Sequence, residues 1–295
     1  MIKNLVSIII PTFNSSLYIE RTIRSILNQS YSNFEILIID DCSKDFENLK
    51  NKIEGFLDDR IILNRLNSKA FASGARNYGV RIARGEYIAY LDSDDEWFED
   101  KLQTDIQIIK KYENEDIVLY NAAIVEMPHK EIILPRIEKK DKERIATYKV
   151  INNGSIFTPT LFLKKVTADK VRWDENLKGD HEDFLYCLQL EEIGAKFIFI
   201  NECLTKVHWD IKIAERKKRQ NWIYSLNFFN NYNRYFTKRE KEYFLINLAI
   251  YNCIRSKDII SGIKIIIFNK LMIKTILHIP NLMKSYFQNR LKFRY

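Results

Sequence analysis

The chain has 295 residues, 46% of them hydrophobic and 13% aromatic, with only 8 Gly and 5 Pro. That composition excludes a disordered or low-complexity chain and suffices for one large core or a core with an extension. The net charge of +8 is unevenly placed: from Asn201 onward 19 Lys+Arg stand against 6 Asp+Glu, while the first 200 residues are mildly acidic; two tasks are expected.

Leu5 to Ile10 is an apolar run closed by Pro11 and reads as a buried strand of a parallel sheet. Ile19, Ile23, Ile26 and Leu27 keep helical spacing. Phe34 to Ile39 is a second strand, ending in Asp40 and Asp41, and Ser43 and Asp45 stand where they cap a helix to about Leu57. Ile61 to Leu66 is a third strand, and 72–83 a helix weakened locally by Gly74 and Gly79. Tyr87 to Leu91 is a fourth strand that runs straight into Asp92, Ser93, Asp94 and Asp95. Strands alternating with helices at this spacing predict βαβ units, whose ligands bind beyond the carboxyl ends of the strands. Asn14, Asp41 and Asp92 to Asp95 all fall there.

Three carboxylates within four residues repel one another and need water, donors or a cation. A hard divalent ion, Mg²⁺ or Mn²⁺, suits Asp92 and Asp94 and ordinarily shares its coordination with substrate phosphates; a solvated turn capping the helix from Asp100 is the simpler alternative. No Gly-x-Gly-x-x-Gly follows the first strand and no Gly-x-x-x-x-Gly-Lys-Ser/Thr occurs, which disfavours a dinucleotide oxidoreductase and a P-loop NTPase.

Downstream, 100–112 reads as an amphipathic helix, Ile117 to Val125 as a strand, Pro128 to Lys142 as a loop or hairpin and Pro159 to Leu163 as a short strand. Glu182 and Asp183 open the next helix, where its dipole favours them. Lys196 to Ile200 and Leu204 to Trp209 read as two extended pieces, the second carrying His208. Cys42, Cys187, Cys203 and Cys253 form no metal or disulfide pattern, so reduced thiols in the cytosol are expected. The N-terminus runs directly into a strand, so no secretory leader is expected, and no uncharged apolar run reaches the ~18 residues of a spanning helix.

The segments Val6–Asn14, Ile39–Asp45, Ala75–Gly79 and Gly85–Asp95, in this order, resemble the inverting family 2 glycosyltransferases with the GT-A fold. The resemblance covers about residues 5–210. It implies a mostly parallel α/β sheet with helices on both faces, a domain over 1–210, and transfer of a sugar from a nucleotide donor with inversion. By the same resemblance, Pro11 and Asp41 would lie at the base, UDP being the expected nucleotide. Arg76 would face the base and diphosphate, and Asp92 the ribose or a metal-bound water. Asp94 would ligate Mn²⁺ or Mg²⁺ with His208 approaching it, and Asp183 would be the catalytic base, with Glu182 as its substitute. Two positions depart from the pattern: Cys42 and Phe71 stand where glycine is usual, and would crowd the base and reshape the donor pocket.

The remainder, 211–295, reads as a basic helical extension, with helices over 215–236 and 239–255. A third helix over 259–279 places Lys264, Lys270 and Lys274 beside Ile263, Ile266, Ile267, Leu271, Ile273 and Leu277, a pattern that fits an anionic membrane surface; Arg290, Lys292 and Arg294 near Phe293 and Tyr295 reinforce it. The alternative is a packing module or homodimer contact. Nucleic acid is not expected as a partner, since no binding motif accompanies the charge. The combined expectation is a peripheral enzyme on the inner face of the cytoplasmic membrane, adding a sugar to a lipid-linked glycan in bacterial surface polysaccharide synthesis. Transfer to a protein or soluble glycan, or an inactive GT-A scaffold, are the rival readings.

Overall fold

The computed structural model describes residues 1–112, 114–177, 181–209, 221–256 and 258–271. The front half alternates strictly. β1 (Ile2–Thr12), α1 (Ile19–Leu27), β2 (Phe34–Asp40), α2 (Phe46–Glu54), β3 (Ile61–Arg65), α3 (Phe71–Ile82) and β4 (Gly85–Tyr90) follow one another. β5 (Glu96–Trp97), α4 (Lys101–Ile109), β6 (Ile117–Met127), β7 (Lys130–Leu134), β8 (Phe162–Lys164), α5 (Lys165–Ala168), α6 (Glu182–Glu192) and β9 (Lys196–His208) complete the sheet region. Among the described residues the strands join one sheet in the order β3-β2-β1-β4-β8-β6-β9-β5, with β7 on β6.

β3, β2, β1 and β4 are mutually parallel. β8 then runs antiparallel between β4 and β6, while β6 and β9 are parallel. Both faces of the parallel part are covered. Ile8, Ile10, Ile36 and Ile38 enter one buried cluster with α1 and α4, and Ile9, Leu37, Ile39 and Tyr90 enter the other. A period of two thus sorts one continuous apolar strand between two cores. At Gly79 α3 lies close against β1: a Cβ there would stand 2.5 Å from Ile9 Cγ2. The glycine that weakens the helix locally is what lets it lie against the sheet.

One expectation changes here, and one open alternative is decided. Lys196 to Ile200 and Leu204 to Trp209 are one strand, β9, whose register against β6 shifts around Ala122. Exposed Asn201 and Glu202 break its apolar pattern at that irregularity. The stretch from Pro128 is a hairpin, β7 pairing antiparallel with β6 from Met127↔Lys130 to Ala123↔Leu134.

Behind the sheet lie the helix Asn221–Tyr232 and a helical run of Lys238–Phe244, the π turn Leu245–Ile250 and Tyr251–Arg255. The run opens on a capping box: Thr237 Oγ1 accepts from the Glu240 N–H at 3.3 Å and Glu240 Oε2 from the Thr237 N–H at 2.7 Å. Phe228, Tyr235, Phe236 and Phe244 share the buried cluster of Ile9, Tyr90 and Trp173, so this part is built onto the sheet core. The expected helix over 259–279 is shorter. It spans Ile259–Phe268 and stops at Asn269, with Lys270 at φ +54°. Leu271 turns inward and is 3% exposed, with Ile266 packed on the same cluster. Residues 210–220 and 272–295, with Lys274, Ile273, Leu277, Arg290, Lys292 and Arg294, lie outside the described residues.

Candidate active site

The loops that leave β1, β2 and β4 interlock at the carboxyl edge of the sheet. The Asn14 N–H donates to Ser43 Oγ at 2.9 Å, the Lys44 N–H to Asn14 Oδ1 at 2.8 Å and the Ser16 N–H to Asp45 Oδ2 at 3.0 Å. Ser93 Oγ meets Ser15 Oγ at 2.8 Å, and Thr22 Oγ1 donates to the carbonyls of Ser93 and Asp95. Pro11 is the penultimate residue of β1, paired with Ile39 of β2. Asp41 is buried, and its carboxylate accepts from the N–H groups of Ala70 and Phe71 at 2.6 and 3.0 Å. It thereby ties the end of β2 to the start of α3.

Non-glycine residues with left-handed backbone gather here: Asn14 (φ +54°), Cys42 (φ +59°), Phe71 (φ +58°) and His181 (φ +79°). Such conformations cost of order 1–2 kcal/mol for a residue with a Cβ and persist where the surroundings fix them. Cys42 and Phe71 hold this left-handed backbone with a side chain on it.

Arg76 is the hub. Projecting from α3 and 5% exposed, it donates through Nη2 to Asp92 Oδ1 at 2.7 Å and through Nη1 to Glu182 Oε2 at 3.3 Å. Its guanidinium lies 4.5 Å from the Trp173 ring centroid, and Trp173 stacks on Tyr186 at 4.1 Å. Burial pulls the Arg76 pKa down, but Asp92, Glu182 and Asp183 more than reverse that and leave it raised. Asp183, at the first turn of α6, takes its own helix's Phe184 N–H at 2.7 Å on Oδ1. Segments 76, 92 and 182–183 are thus one charged cluster. The order of the motifs does not reveal that Glu182 is the second partner of Arg76.

The acidic turn forms the other side. Burial, then the nearby Asp92, raise the Asp94 carboxyl to about 6, and Asp95 is raised well above its ordinary range for the same reasons. Arg21 Nη2 donates to the Asp94 carbonyl, a contact no sequence motif signals. The His208 backbone N–H donates to Asp95 Oδ1 at 2.8 Å, and its ring is held between Glu96 (Nε2, 2.7 Å) and Glu126 (Nδ1, 2.6 Å). His208 therefore lies beside the acidic turn, with both ring nitrogens engaged by carboxylates. Crowded, desolvated carboxylates of this kind fit a hard cation. Among the described residues no group of three or more His, Cys, Asp or Glu is arranged to hold an ion alone. A divalent ion here would rest on Asp94 and share its coordination with substrate oxygens.

Comparison with known proteins gives the family and the fold. The sequence profile of "Glycosyl transferase family 2" matches residues 7–171. The amylovoran biosynthesis glycosyltransferase AmsB of Erwinia amylovora is 31% identical over 240 residues, 79% of either chain. An Escherichia coli protein, the UDP-Glc:alpha-D-GlcNAc-diphosphoundecaprenol beta-1,3-glucosyltransferase WfgD, is 40% identical over 167 residues, 57% of this chain and 54% of that one. The fold is that of S. aureus TarS 1–349 in complex with UDP, at a TM-score of 0.56 and 18% identity, covering 96% of this chain and 91% of that one.

Proposed function

The chain belongs to glycosyl transferase family 2, and on that premise we propose that it moves a hexose or N-acetylhexosamine from a UDP-sugar to a hydroxyl of a lipid-diphosphate-linked glycan in bacterial surface polysaccharide synthesis. The observation that carries this reading is the cluster of Asp92, Glu182 and Asp183 around buried Arg76, beside the carboxyl edge of the parallel strands. The donor and acceptor classes are supported by the activity for which the E. coli relative is named and by the UDP bound to TarS.

In this reading Pro11 and Asp41 flank the base, and Arg76 and Asp92 hold the diphosphate and ribose side. Asp183 takes the proton of the acceptor hydroxyl. As that oxygen bonds to the anomeric carbon, the bond from that carbon to the diphosphate oxygen breaks. The electron pair leaves with UDP, and the configuration inverts in one displacement. Asp94 would hold Mn²⁺ or Mg²⁺, with His208 as a second ligand, and the ion would supply Lewis-acid neutralisation of the leaving diphosphate.

A peripheral seat on the inner face of the cytoplasmic membrane is part of the proposal. Ile259, Ile260, Ile263, Ile267 and Phe268 are 49–87% exposed on the Ile259–Phe268 helix, next to exposed Lys264 and Lys270. Apolar side chains rimmed by lysines suit an anionic lipid surface. Among the described residues no helix is long and apolar enough to cross a membrane.

The test is calorimetric titration with UDP in Mn²⁺ and then in EDTA, for the wild type and Asp94→Ala. It is followed by transfer assays from UDP-glucose and UDP-GlcNAc to α-GlcNAc diphosphate on a short alkyl chain. Metal-dependent UDP binding that the variant loses is the expected result. A folded wild type that binds UDP under neither condition sinks the reading.

A further inference from the structure

A cavity of about 540 Å³ opens between the turn at 174–177 and the helix Asn221–Tyr232, lined by Asn176, Leu177, Tyr224, Asn227, Asn231 and Tyr232. Tyr224, Asn227 and Asn231 recur at the i, i+3, i+7 spacing that puts side chains on one helix face. The two walls are fastened together, for the Tyr232 hydroxyl donates to Asp174 Oδ2 at 2.9 Å. The same helix is fastened to the start of α6. Buried Ser225 meets His181 Nε2 at 2.9 Å, and the His181 ring packs 5.0 Å from Phe228 and 5.8 Å from Phe244. His181 immediately precedes Glu182 and Asp183. The helix that forms one cavity wall is therefore joined to the start of α6 by the His181–Ser225 contact and by Phe228, which packs on His181 and stacks on Phe184 at 5.7 Å.

The lining specifies the class of ligand. None of its six residues is charged, so it offers no counter-ion to a phosphate. Leu177 is its one aliphatic side chain, which is too little for a lipid tail. Three asparagine amides present donors and acceptors in pairs, as adjacent sugar hydroxyls require, and two tyrosines add rings and hydroxyls. The nucleotide groups, by contrast, gather at Asp41, Asp92 and Asp94.

We infer that this cavity is the subsite for the neutral sugar that accepts the transferred residue. The inference rests on the proposed transferase reading, with the His181–Ser225 contact setting the acceptor wall against the helix of the catalytic base.

Tyr224, Asn227 and Asn231 are exposed, so their truncation leaves the fold intact. Asn227→Ala/Asn231→Ala and Tyr224→Ala are compared with the wild type using α-GlcNAc diphosphate on a short alkyl chain as acceptor. Saturation-transfer NMR of methyl α-glycosides of glucose, galactose and GlcNAc on UDP-loaded protein reads sugar binding separately. The expected result for the variants is an acceptor KM raised by about tenfold or more, UDP affinity within about twofold of wild type, and no saturation transfer to the glycosides. An unchanged acceptor KM, or UDP affinity falling in step with it, overturns the subsite. A wild type that binds UDP yet neither transfers to the probe nor binds any glycoside overturns it as well. A wild type that does not bind UDP removes the transferase reading instead, and glycoside binding, measured without UDP, then decides the cavity alone.

Discussion

Arg76 and Glu182 stand 106 positions apart in the chain and 3.3 Å apart in the fold. The same guanidinium binds Asp92 at 2.7 Å, so one buried cation joins α3, the turn after β4 and the start of α6. Arg76→Lys keeps the charge but presents no planar fork to two carboxylates. Transfer is expected to fall by roughly 100-fold, the scale of a misplaced catalytic group. Arg76→Met leaves the acids facing one another and costs about 3–5 kcal/mol of stability. Urea denaturation and UDP-release rates measure the two effects, and wild-type rates in Arg76→Lys would remove the hub.

The acids of α6 are separable by their partners. Glu182 is engaged by Arg76, whereas Asp183 bonds its own helix N–H through one oxygen. Asp183→Asn is expected to lower transfer by about 10²–10⁴-fold, the usual scale of general-base loss, with Mn²⁺-dependent UDP binding retained. Glu182→Gln should lower transfer less and stability more. Reversal of that order would make Glu182 the base.

The four leading strands and their polar ends were legible in the sequence because each is a short apolar run, buried on both faces in β1, β2 and β4 and half-buried in the edge strand β3. β9 was split because exposed Asn201 and Glu202 sit at an irregular register. The Arg76–Glu182 pair was not legible, since nothing local in either segment names a partner across the sheet. Nor was the shared core of Phe228 and Phe244 with Tyr90, which no charge count reports. The departures at Cys42 and Phe71 were visible as residue types, but their left-handed backbone was not.

That backbone makes a sharp prediction at Cys42, whose φ is +59° and whose Sγ lies 3.3 Å from the Leu66 carbonyl. Cys42→Gly should leave stability within about 1 kcal/mol, because relief of the left-handed strain offsets the added freedom of the unfolded chain. Cys42→Val puts a β-branched side chain in the same conformation and should cost more than about 1 kcal/mol. Equal midpoints for the two variants in chemical denaturation would show that the turn readjusts freely.

The Ile259–Phe268 helix gives a prediction that does not involve the active site. Ile263 and Ile267 are 49% and 62% exposed. Ile263→Asp/Ile267→Asp should abolish co-sedimentation with vesicles of mixed phosphatidylcholine and phosphatidylglycerol, without changing UDP affinity. Wild-type sedimentation that is equally strong on pure phosphatidylcholine would argue against an anionic surface, and retention of the double variant would argue against this helix.

Lys101 and Asp105, one turn apart on α4, form an ion pair at 2.5 Å with both side chains fully buried, the ammonium 5.3 Å from the Trp97 ring centroid. Burial raises Asp105 from its ordinary 3.8 to about 6, and Lys101 offsets only part of that. The folded chain thus holds a proton between about pH 3.8 and 6 that the unfolded chain has released. The stability this contributes is complete below 3.8, declines as the pH rises toward 6, and is gone above it. Lys101→Met/Asp105→Leu has no such group, so its stability relative to wild type should improve between pH 4 and 6 and then level off. At pH 7 the double variant should equal or exceed the wild type. Either single variant should lose about 3–5 kcal/mol, because it strands one buried charge or donor without its partner. Urea denaturation of the four proteins from pH 4 to 7 tests both statements. A pH-independent difference would mean that Asp105 stays ionised throughout, and harmless single variants would mean that water reaches the pair.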